Sequence, residues 1–293
     1  MPLYLNPQRK WTGKRILQFS AALVALLAAI AVMIAWMLIS HRNNNPSPTD
    51  TSTDDPTQYA EPLTSIDHCL VILDFAGQPQ FVLIQSNAET PSITTMAIPS
   101  TLLDEDGNTL SALLQKYGPM RVTSAVSAVL ELPMCHYVSW SANGTQSFLK
   151  EFHGGITYNL PEEIRYTDEN GITVRLNSGE QKLTGTQAAA VLQYSAWNDS
   201  THTFNTAPQL VAAILNQYLL PEQSPDGFFA ALSNTAQTDL RIDHFNAFRP
   251  TLVHLSQNNS GTLCRTISLV GTENEGIFTP DITAMREQTD LYH

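Results

Sequence analysis

The chain has 293 residues, with 15 Lys or Arg, 27 Asp or Glu and a formal net charge of −12 at pH 7. This length accommodates one large domain or two small ones. All 27 acidic residues lie beyond residue 42, but only 10 of the basic ones do, so this part of the chain has a net charge of −17. Nucleic acid is excluded as a partner, because its negatively charged phosphates bind a positive surface.

An apolar run from Ile16 to Ile39 is long enough to cross a bilayer as a helix. The run is longer than the apolar part of a cleaved signal peptide, which is the alternative, and no cleavage pattern follows it. Basic residues lie mainly before the run, at Arg9, Lys10, Lys14 and Arg15, with Arg42 after it. This bias predicts a cytoplasmic segment over 1–15, a transmembrane helix over 16–39, and a single-pass protein of the cell membrane whose C-terminal domain is extracellular.

The segment that follows the apolar run has little to bury. Residues 43–62 are mostly Pro, Thr, Asp and Asn, a composition typical of disordered tethers. We therefore predict a disordered linker over 40–62 and an extracytoplasmic domain over 63–293.

Short runs rich in β-branched and aromatic residues alternate with helical periodicity along this domain. The predicted strands are Cys69–Phe75, Gln80–Gln85, Ser92–Ile98, His136–Trp140, Ile156–Leu160, Gly171–Leu176 and Thr266–Val270. The predicted helices are Leu110–Tyr117, Val122–Leu130, Gln146–Phe152, Thr186–Ala196, Leu210–Leu219, Phe228–Leu232 and Ile242–Leu255. The alternation predicts a single α/β domain with a mixed central β-sheet flanked by helices.

The three cysteines, Cys69, Cys135 and Cys264, cannot all pair within one chain. One disulfide is possible in an oxidising exterior, and Cys69 with Cys135 is the candidate pair; buried free thiols are the alternative.

Other chemical signatures are weak. The chain has no G-x-S-x-G nucleophile motif. His68 lies between Asp67 and Cys69, but adjacent residues of a strand point to opposite faces and cannot all reach one metal ion. The aromatic residues Tyr137, Trp140, Phe148 and Phe152 either line a groove for a polyprenyl chain or a sugar, or form ordinary core.

The stretch GEQKLTGTQAAAVLQYSAW, residues 179–197, resembles the region of LytR-CpsA-Psr proteins in which an L-x-G turn leads into a helix that ends in two arginines spaced R-x-R. The resemblance continues at Met96–Pro99, at the strand end before the family's Arg-Asp pair, and through 108–137, 154–161, 239–255 and 266–281. These segments occur in the family's order over roughly the whole domain.

The resemblance implies a membrane-anchored phosphotransferase that moves an undecaprenyl-pyrophosphate-linked glycopolymer onto peptidoglycan with Mg²⁺. Guanidinium groups suit this chemistry because they bind phosphate oxygens in pairs and stay charged, and carboxylates suit the metal.

The matching positions in this chain carry different residues. Ser100 and Thr101 stand where the family has its Arg-Asp pair, and Gln193 and Ser195 stand at the R-x-R positions. Of the family's acidic metal ligands, Asp74 matches the first, the second falls near Gln80, and Asp199 is a loose match for a third. The binding candidates are therefore Asp74, Ser100, Thr101, Gln193, Ser195 and Asp199.

These departures leave three hypotheses. The first is a non-catalytic protein with a binding or regulatory role in cell-wall glycopolymer attachment, which needs no cofactor and contacts a polyprenyl-linked lipid or peptidoglycan. The second is an active phosphotransferase that uses non-standard residues, with Mg²⁺ on Asp74 and charge supplied by some of Arg121, Arg165, Arg175 and Arg265. The third is a structural extracellular module without a ligand.

Overall fold

The computed structural model describes residues 65–75, 78–167, 171, 173–222 and 225–292. The predicted cytoplasmic segment 1–15, transmembrane helix 16–39 and linker 40–62 lie outside the described residues. Within the described part of the chain, no helix combines the length and the apolar character needed to cross a membrane.

A six-stranded mixed sheet forms the centre of the domain, as predicted. The six strands are β1 (Ile66–Phe75), β2 (Gln78–Asn87), β3 (Ser92–Ile98), β4 (His136–Ser141), β9 (Gln237–Thr238) and β10 (Cys264–Ile267). Their spatial order is β10-β3-β2-β1-β4-β9, with β1 parallel to β4, β3 parallel to β10, and the other neighbours antiparallel.

Three two-stranded antiparallel sheets surround the central one, pairing β5 with β8, β6 with β7 and β11 with β12. Their strands are β5 (Ile156–Leu160), β6 (Ile164–Thr167), β7 (Thr173–Leu176), β8 (Gly179–Leu183), β11 (Gly271–Asn274) and β12 (Ile277–Pro280).

Eight α-helices lie in the described part of the chain. They are α1 (Leu110–Tyr117), α2 (Pro119–Leu130), α3 (Ala142–Lys150), α4 (Gly185–Gln193), α5 (Ser200–Tyr218), α6 (Pro225–Thr235), α7 (Ile242–Gln257) and α8 (Ile282–Gln288).

Several predicted boundaries were wrong. The helix predicted at Leu210–Leu219 begins at Ser200, because Asp199 caps its N-terminus and the helix tolerates Pro208 in its interior. The helix predicted at Thr186–Ala196 ends at Gln193, and the one predicted at Gln146–Phe152 runs from Ala142 to Lys150. The last predicted strand, Thr266–Val270, begins two residues earlier and ends three residues earlier, as Cys264–Ile267.

Helix α4 is built by the residues of the L-x-G motif. The Thr184 hydroxyl accepts from the Gln187 N–H at 3.3 Å, and the Gln187 side chain accepts from the Thr184 N–H at 2.8 Å, which forms a capping box. A Cβ at Gly185 would lie 2.6 Å from the backbone of Leu149, so only glycine permits this approach of α4 to α3. The motif thus positions the C-terminus of α4.

The two faces of the central sheet are buried by different helices. Alternate residues of β1 separate cleanly: Leu70 and Ile72 belong to one core cluster, and Val71 and Leu73 to the other. The first cluster includes residues of α1, α2 and α8, and the second includes residues of α3, α4, α5 and α6. We call the first the closed face and the second the open face, because the second also borders a large cavity.

Candidate binding site: two adjacent cavities

A cavity of about 320 Å³ lies where the central sheet meets the C-terminus of α4, and we call it the small cavity. The end of β1, the start of β2 and the end of β3 meet at this edge of the sheet, since β2 is antiparallel to both neighbours. The first turns of α5 complete the wall, with Thr203, Phe204 and Ala207.

Three of the six predicted site residues converge there. Ser100 lines the small cavity together with Gln193 and Ser195, although it is distant from both in the sequence. Gln80, close to the second predicted acidic position, lines it too.

The other three candidates are not among the residues that line it. Asp74 is exposed on β1, and Thr101 follows Ser100 in the same turn. Asp199 caps α5 by accepting from the Thr201 N–H at 2.8 Å, and this bond lowers the pKa of Asp199.

The described residues that line the small cavity are all uncharged. They are amides, hydroxyls, aromatic rings and small apolar groups: Phe75, Gln78, Pro79, Gln80, Phe81, Ala97, Ile98, Pro99, Ser100, Ser111, Gln193, Tyr194, Ser195, Thr203, Phe204 and Ala207. Mg²⁺ prefers carboxylate and phosphate oxygens, and this lining supplies no carboxylate. No cluster of three His, Cys, Asp or Glu that could hold a metal ion occurs in the described part of the chain. The lining therefore does not fit Mg²⁺, and we derive no step through it.

Two glutamines have fixed amides. The Gln80 Nε2 donates to the Leu192 carbonyl at 2.7 Å, while the Gln80 Oε1 is buried without a hydrogen-bond partner. An unpaired buried acceptor costs about 1–3 kcal/mol. The Gln193 Oε1 accepts from the Tyr166 hydroxyl at 2.9 Å.

The arginines that were candidates to replace the missing charge do not line the small cavity. Arg121 contacts Asp104 and Asp106 at 3.5 and 3.3 Å. Arg165 and Arg175 both contact Glu163, at 3.4 and 3.0 Å. Arg265 is exposed on β10, where its register partner is Thr94.

A second cavity, of about 910 Å³, lies between the open face and helices α3, α5, α6 and α7, and we call it the large cavity. Its wall is mainly aliphatic and aromatic. Trp140, Phe148 and Phe152 line it and also belong to the buried cluster of the open face, so they are both cavity wall and core. Tyr137 does not line it, because it alternates to the closed face with Leu70, its register partner.

Much of the aromatic wall was missed by the sequence interpretation. Phe228, Phe229, Phe245 and Phe248 on α6 and α7 all line the large cavity. The Phe148 and Phe228 rings meet edge to face with centroids 5.6 Å apart. The four phenylalanines on two consecutive predicted helices were the feature of the sequence that could have indicated this aromatic wall.

Polar groups collect at the start of β1 and β4, where they also line the large cavity. His136 Nδ1 lies 3.5 Å from Asp239 Oδ1, and the His136 and His244 ring centroids are 4.8 Å apart. His68 is 3% exposed, and burial lowers its pKa from the ordinary value of 6.5. The Pro133 and Leu291 carbonyls oppose this shift, but neither ring nitrogen has a hydrogen bond of normal geometry.

The cysteines carry free thiols, so the Cys69–Cys135 bridge is not formed. Burial raises the pKa of Cys69 and of Cys264 to about 12, and burial also raises the pKa of the exposed Cys135. The Cys135 thiol lies 3.7 Å from Asp67 Oδ1.

The two cavities are lined by neighbouring residues at the C-terminus of α4. Leu192 lines the large cavity and Gln193, the next residue, lines the small one. The large cavity suits an apolar group and the small one suits a polar group.

Comparison with known proteins supports the same fold. The family model LytR_cpsA_psr matches residues 82–289. A putative transcription regulator from Eubacterium siraeum is 17% identical with a TM-score of 0.69, over 83% of this chain and 97% of that chain. TagV from B. subtilis is 17% identical with a TM-score of 0.62, over 77% and 94%. TagT, in a structure bound to LI-WTA, is 15% identical with a TM-score of 0.58, over 79% and 90%. No curated protein matches this chain.

Proposed function

Because this chain belongs to the LytR-CpsA-Psr family, we propose that it takes part in cell-wall glycopolymer attachment as a membrane-anchored, non-catalytic protein that binds a polyprenyl-linked intermediate. The observation that carries the proposal is the presence of a large apolar cavity and of an uncharged small cavity, the latter lined by Ser100, Gln193 and Ser195, where the family resemblance implies the active site.

The large cavity supports the binding of a lipid tail. Its volume of about 910 Å³ lies near the upper end of the range for small-molecule sites, about 300–1,000 Å³. Aliphatic and aromatic walls favour a hydrocarbon chain, because burial of apolar surface contributes about 25 cal/mol per Å². TagT, which shares the fold, is bound to LI-WTA in its structure.

The small cavity argues against phosphoryl transfer. Each charge-assisted bond from a guanidinium to a phosphate contributes on the order of 1.5–3 kcal/mol. Several such bonds approach the whole free energy of micromolar binding, about 8 kcal/mol. Ser100, Gln193 and Ser195 cannot replace them, since none carries a positive charge.

An active phosphotransferase with non-standard residues is the alternative. It requires positive charge beside the small cavity, whereas Arg121, Arg165 and Arg175 contact carboxylates in the structure. A structural module without a ligand needs neither cavity. Membrane anchoring through residues 16–39 is part of the proposal and rests on the apolar run and its basic flank.

The test uses the full chain in lipid nanodiscs, incubated with an undecaprenyl-pyrophosphate-linked glycan, Mg²⁺ and peptidoglycan fragments. We expect the lipid to be retained by the protein, and no phosphate-linked product to form. The triple substitution Ser100→Arg, Gln193→Arg and Ser195→Arg should bind the pyrophosphate lipid at least about tenfold more tightly, because it restores guanidinium donors. Repeated turnover by the unmodified chain would refute the non-catalytic proposal, and failure to retain the lipid would refute the binding proposal.

A further inference from the structure

The small cavity offers hydrogen-bonding groups of both kinds. Side-chain amides and hydroxyls each supply donors and acceptors, and they come from Gln78, Gln80, Ser100, Ser111, Gln193, Ser195 and Thr203. A phosphate or pyrophosphate at neutral pH presents almost only acceptors, so the amide oxygens of this wall would face oxygen atoms that cannot donate. A ring with hydroxyl groups both donates and accepts, and it can satisfy such a wall.

The orientation of Gln80 sharpens this distinction. The Leu192 carbonyl can only accept a hydrogen bond, so the amide nitrogen of Gln80 must face it and the amide oxygen must face away. That oxygen is buried in the cavity wall without a donor. This oxygen is enclosed, so a ligand in the cavity does not bond to it directly. Its uncompensated partial negative charge nevertheless favours a ligand donor at this part of the wall and disfavours a further acceptor.

Aromatic rings supply the remaining part of the wall. Tyr194 and Phe204 both line the small cavity, and Phe204 is 46% exposed although it is apolar. A pyranose ring has an apolar face of C–H groups and a rim of hydroxyls. Its face can therefore cover an exposed aromatic ring while its rim meets amides and hydroxyls. The cavity volume, about 320 Å³, is at the lower end of the range for small ligands, which suits one sugar unit.

From these three observations we propose that the small cavity binds a neutral, hydroxyl-bearing sugar unit in direct contact, in the place where the family resemblance implies a pyrophosphate. The inference deepens the function proposed above, since it names the head group that the same binding protein contacts. It does not depend on occupancy of the large cavity, because a water-soluble sugar reaches the small cavity by itself.

The experiment compares two probes that differ by one phosphate, glucose and glucose 1-phosphate, with the full chain in lipid nanodiscs. Saturation-transfer difference NMR reports which ring protons contact the protein, and nanodiscs without protein give the background. At concentrations on the order of 10 mM, we expect saturation of the glucose ring and at least about tenfold weaker binding of glucose 1-phosphate. Inorganic pyrophosphate should not displace the glucose.

Variants locate the binding. Phe204→Ala should weaken glucose binding about tenfold, whereas Tyr117→Ala, which removes an exposed aromatic side chain on α1 outside the small cavity, should leave it unchanged. The double substitution Gln193→Arg and Ser195→Arg should reverse the preference toward glucose 1-phosphate.

Equal or tighter binding of glucose 1-phosphate by the unmodified chain, displacement by pyrophosphate, or absence of any glucose signal would each overturn the inference. An unchanged glucose signal in Phe204→Ala would also overturn it, because binding would then lie elsewhere. If glucose binds as expected but the polyprenyl-linked glycan is not retained, the proposed function fails and the sugar site stands.

Discussion

The two faces of the central sheet are made by the same strands but serve different purposes. On the closed face, Leu70, Ile72, Leu83 and Met96 are at most 1% exposed and belong to one cluster with residues of α1 and α2. On the open face, the neighbouring residues Val71 and Leu73 line a cavity of about 910 Å³. The continuous apolar run of β1 therefore predicts that both faces are covered, but it does not predict whether the covering helices pack tightly or leave a cavity.

The difference separates stability from binding within one sheet. Tightly packed side chains make many dispersion contacts, and their removal leaves a void that the surroundings cannot fill. Side chains that already border a cavity have fewer partners to lose. We expect truncation of a side chain on the closed face to cost more folding free energy than truncation of one beside the large cavity, and the cavity wall to hold most of the ligand specificity.

The largest expected effect is a matched pair of truncations, one on each side of the sheet. Leu113→Ala on α1, at a residue 1% exposed, should lower the free energy of unfolding by about 2–5 kcal/mol. Leu252→Ala on α7, where the leucine is partly exposed and lines the large cavity, should cost less than half as much. Urea unfolding of the full chain in detergent micelles, followed by tryptophan fluorescence, measures both. Equal losses would mean that the open face is packed as tightly as the closed one.

Turn-forming residues beside an element explain which elements were predicted well from the sequence. Helix α1 and strand β5 have the predicted ends, because Gly-Pro follows the helix and Gly-Gly precedes the strand. The mixed sheet also follows from the apolar runs of β1, β2, β3 and β4. Strand β6 was missed because it has four residues, of which only Ile164 and Tyr166 have large apolar or aromatic side chains.

Helix α5 shows why a local rule can fail. Its first ten residues are mostly polar and include Pro208, which normally ends or kinks a helix. Asp199 caps the helix, and the Pro208 carbonyl accepts from the Thr95 hydroxyl at 3.0 Å, a tertiary contact that joins this turn of the helix to β3. Asp199 was interpreted as a loose candidate for a metal ligand, whereas its spacing to Thr201 was an N-cap signal.

The candidate site was predictable only through the family resemblance. Ser100 lies far from Gln193 and Ser195 in the sequence, and no spacing rule brings it beside them. The order of the segments that match the family placed them at one site. The large cavity was less predictable, because its walls come from strands and helices whose separation depends on tertiary packing. Phe228 and Phe245 are compatible with ordinary core until the helices are placed.

A smaller effect tests whether the open face binds a lipid. Ala231→Phe adds a ring to the wall of the large cavity and should weaken retention of the polyprenyl-linked glycan by about tenfold, or about 1.4 kcal/mol, with little change in stability. Ala128→Phe, at an exposed position of α2 outside that wall, is the matched control and should bind normally. Filter retention of radiolabelled lipid on the full chain in nanodiscs measures both variants. Equal retention by Ala231→Phe and its control would place the lipid outside the large cavity.

The smallest effect concerns His68, the buried imidazole beside the large cavity. Its pKa is lowered by burial, so the unfolded chain binds a proton at this residue before the folded chain does. The folded state therefore loses stability as the pH falls below the ordinary value of 6.5, by at most about 0.7 kcal/mol between pH 7 and pH 6 for one proton. His68→Leu should remove this part of the pH dependence, whereas His153→Leu, at an exposed position, should keep it. Urea unfolding at pH 7 and pH 6 measures the change in the free energy of unfolding for each variant. If His68→Leu shows the same change as the unmodified chain, His68 takes up its proton equally well in the folded protein, in spite of its burial.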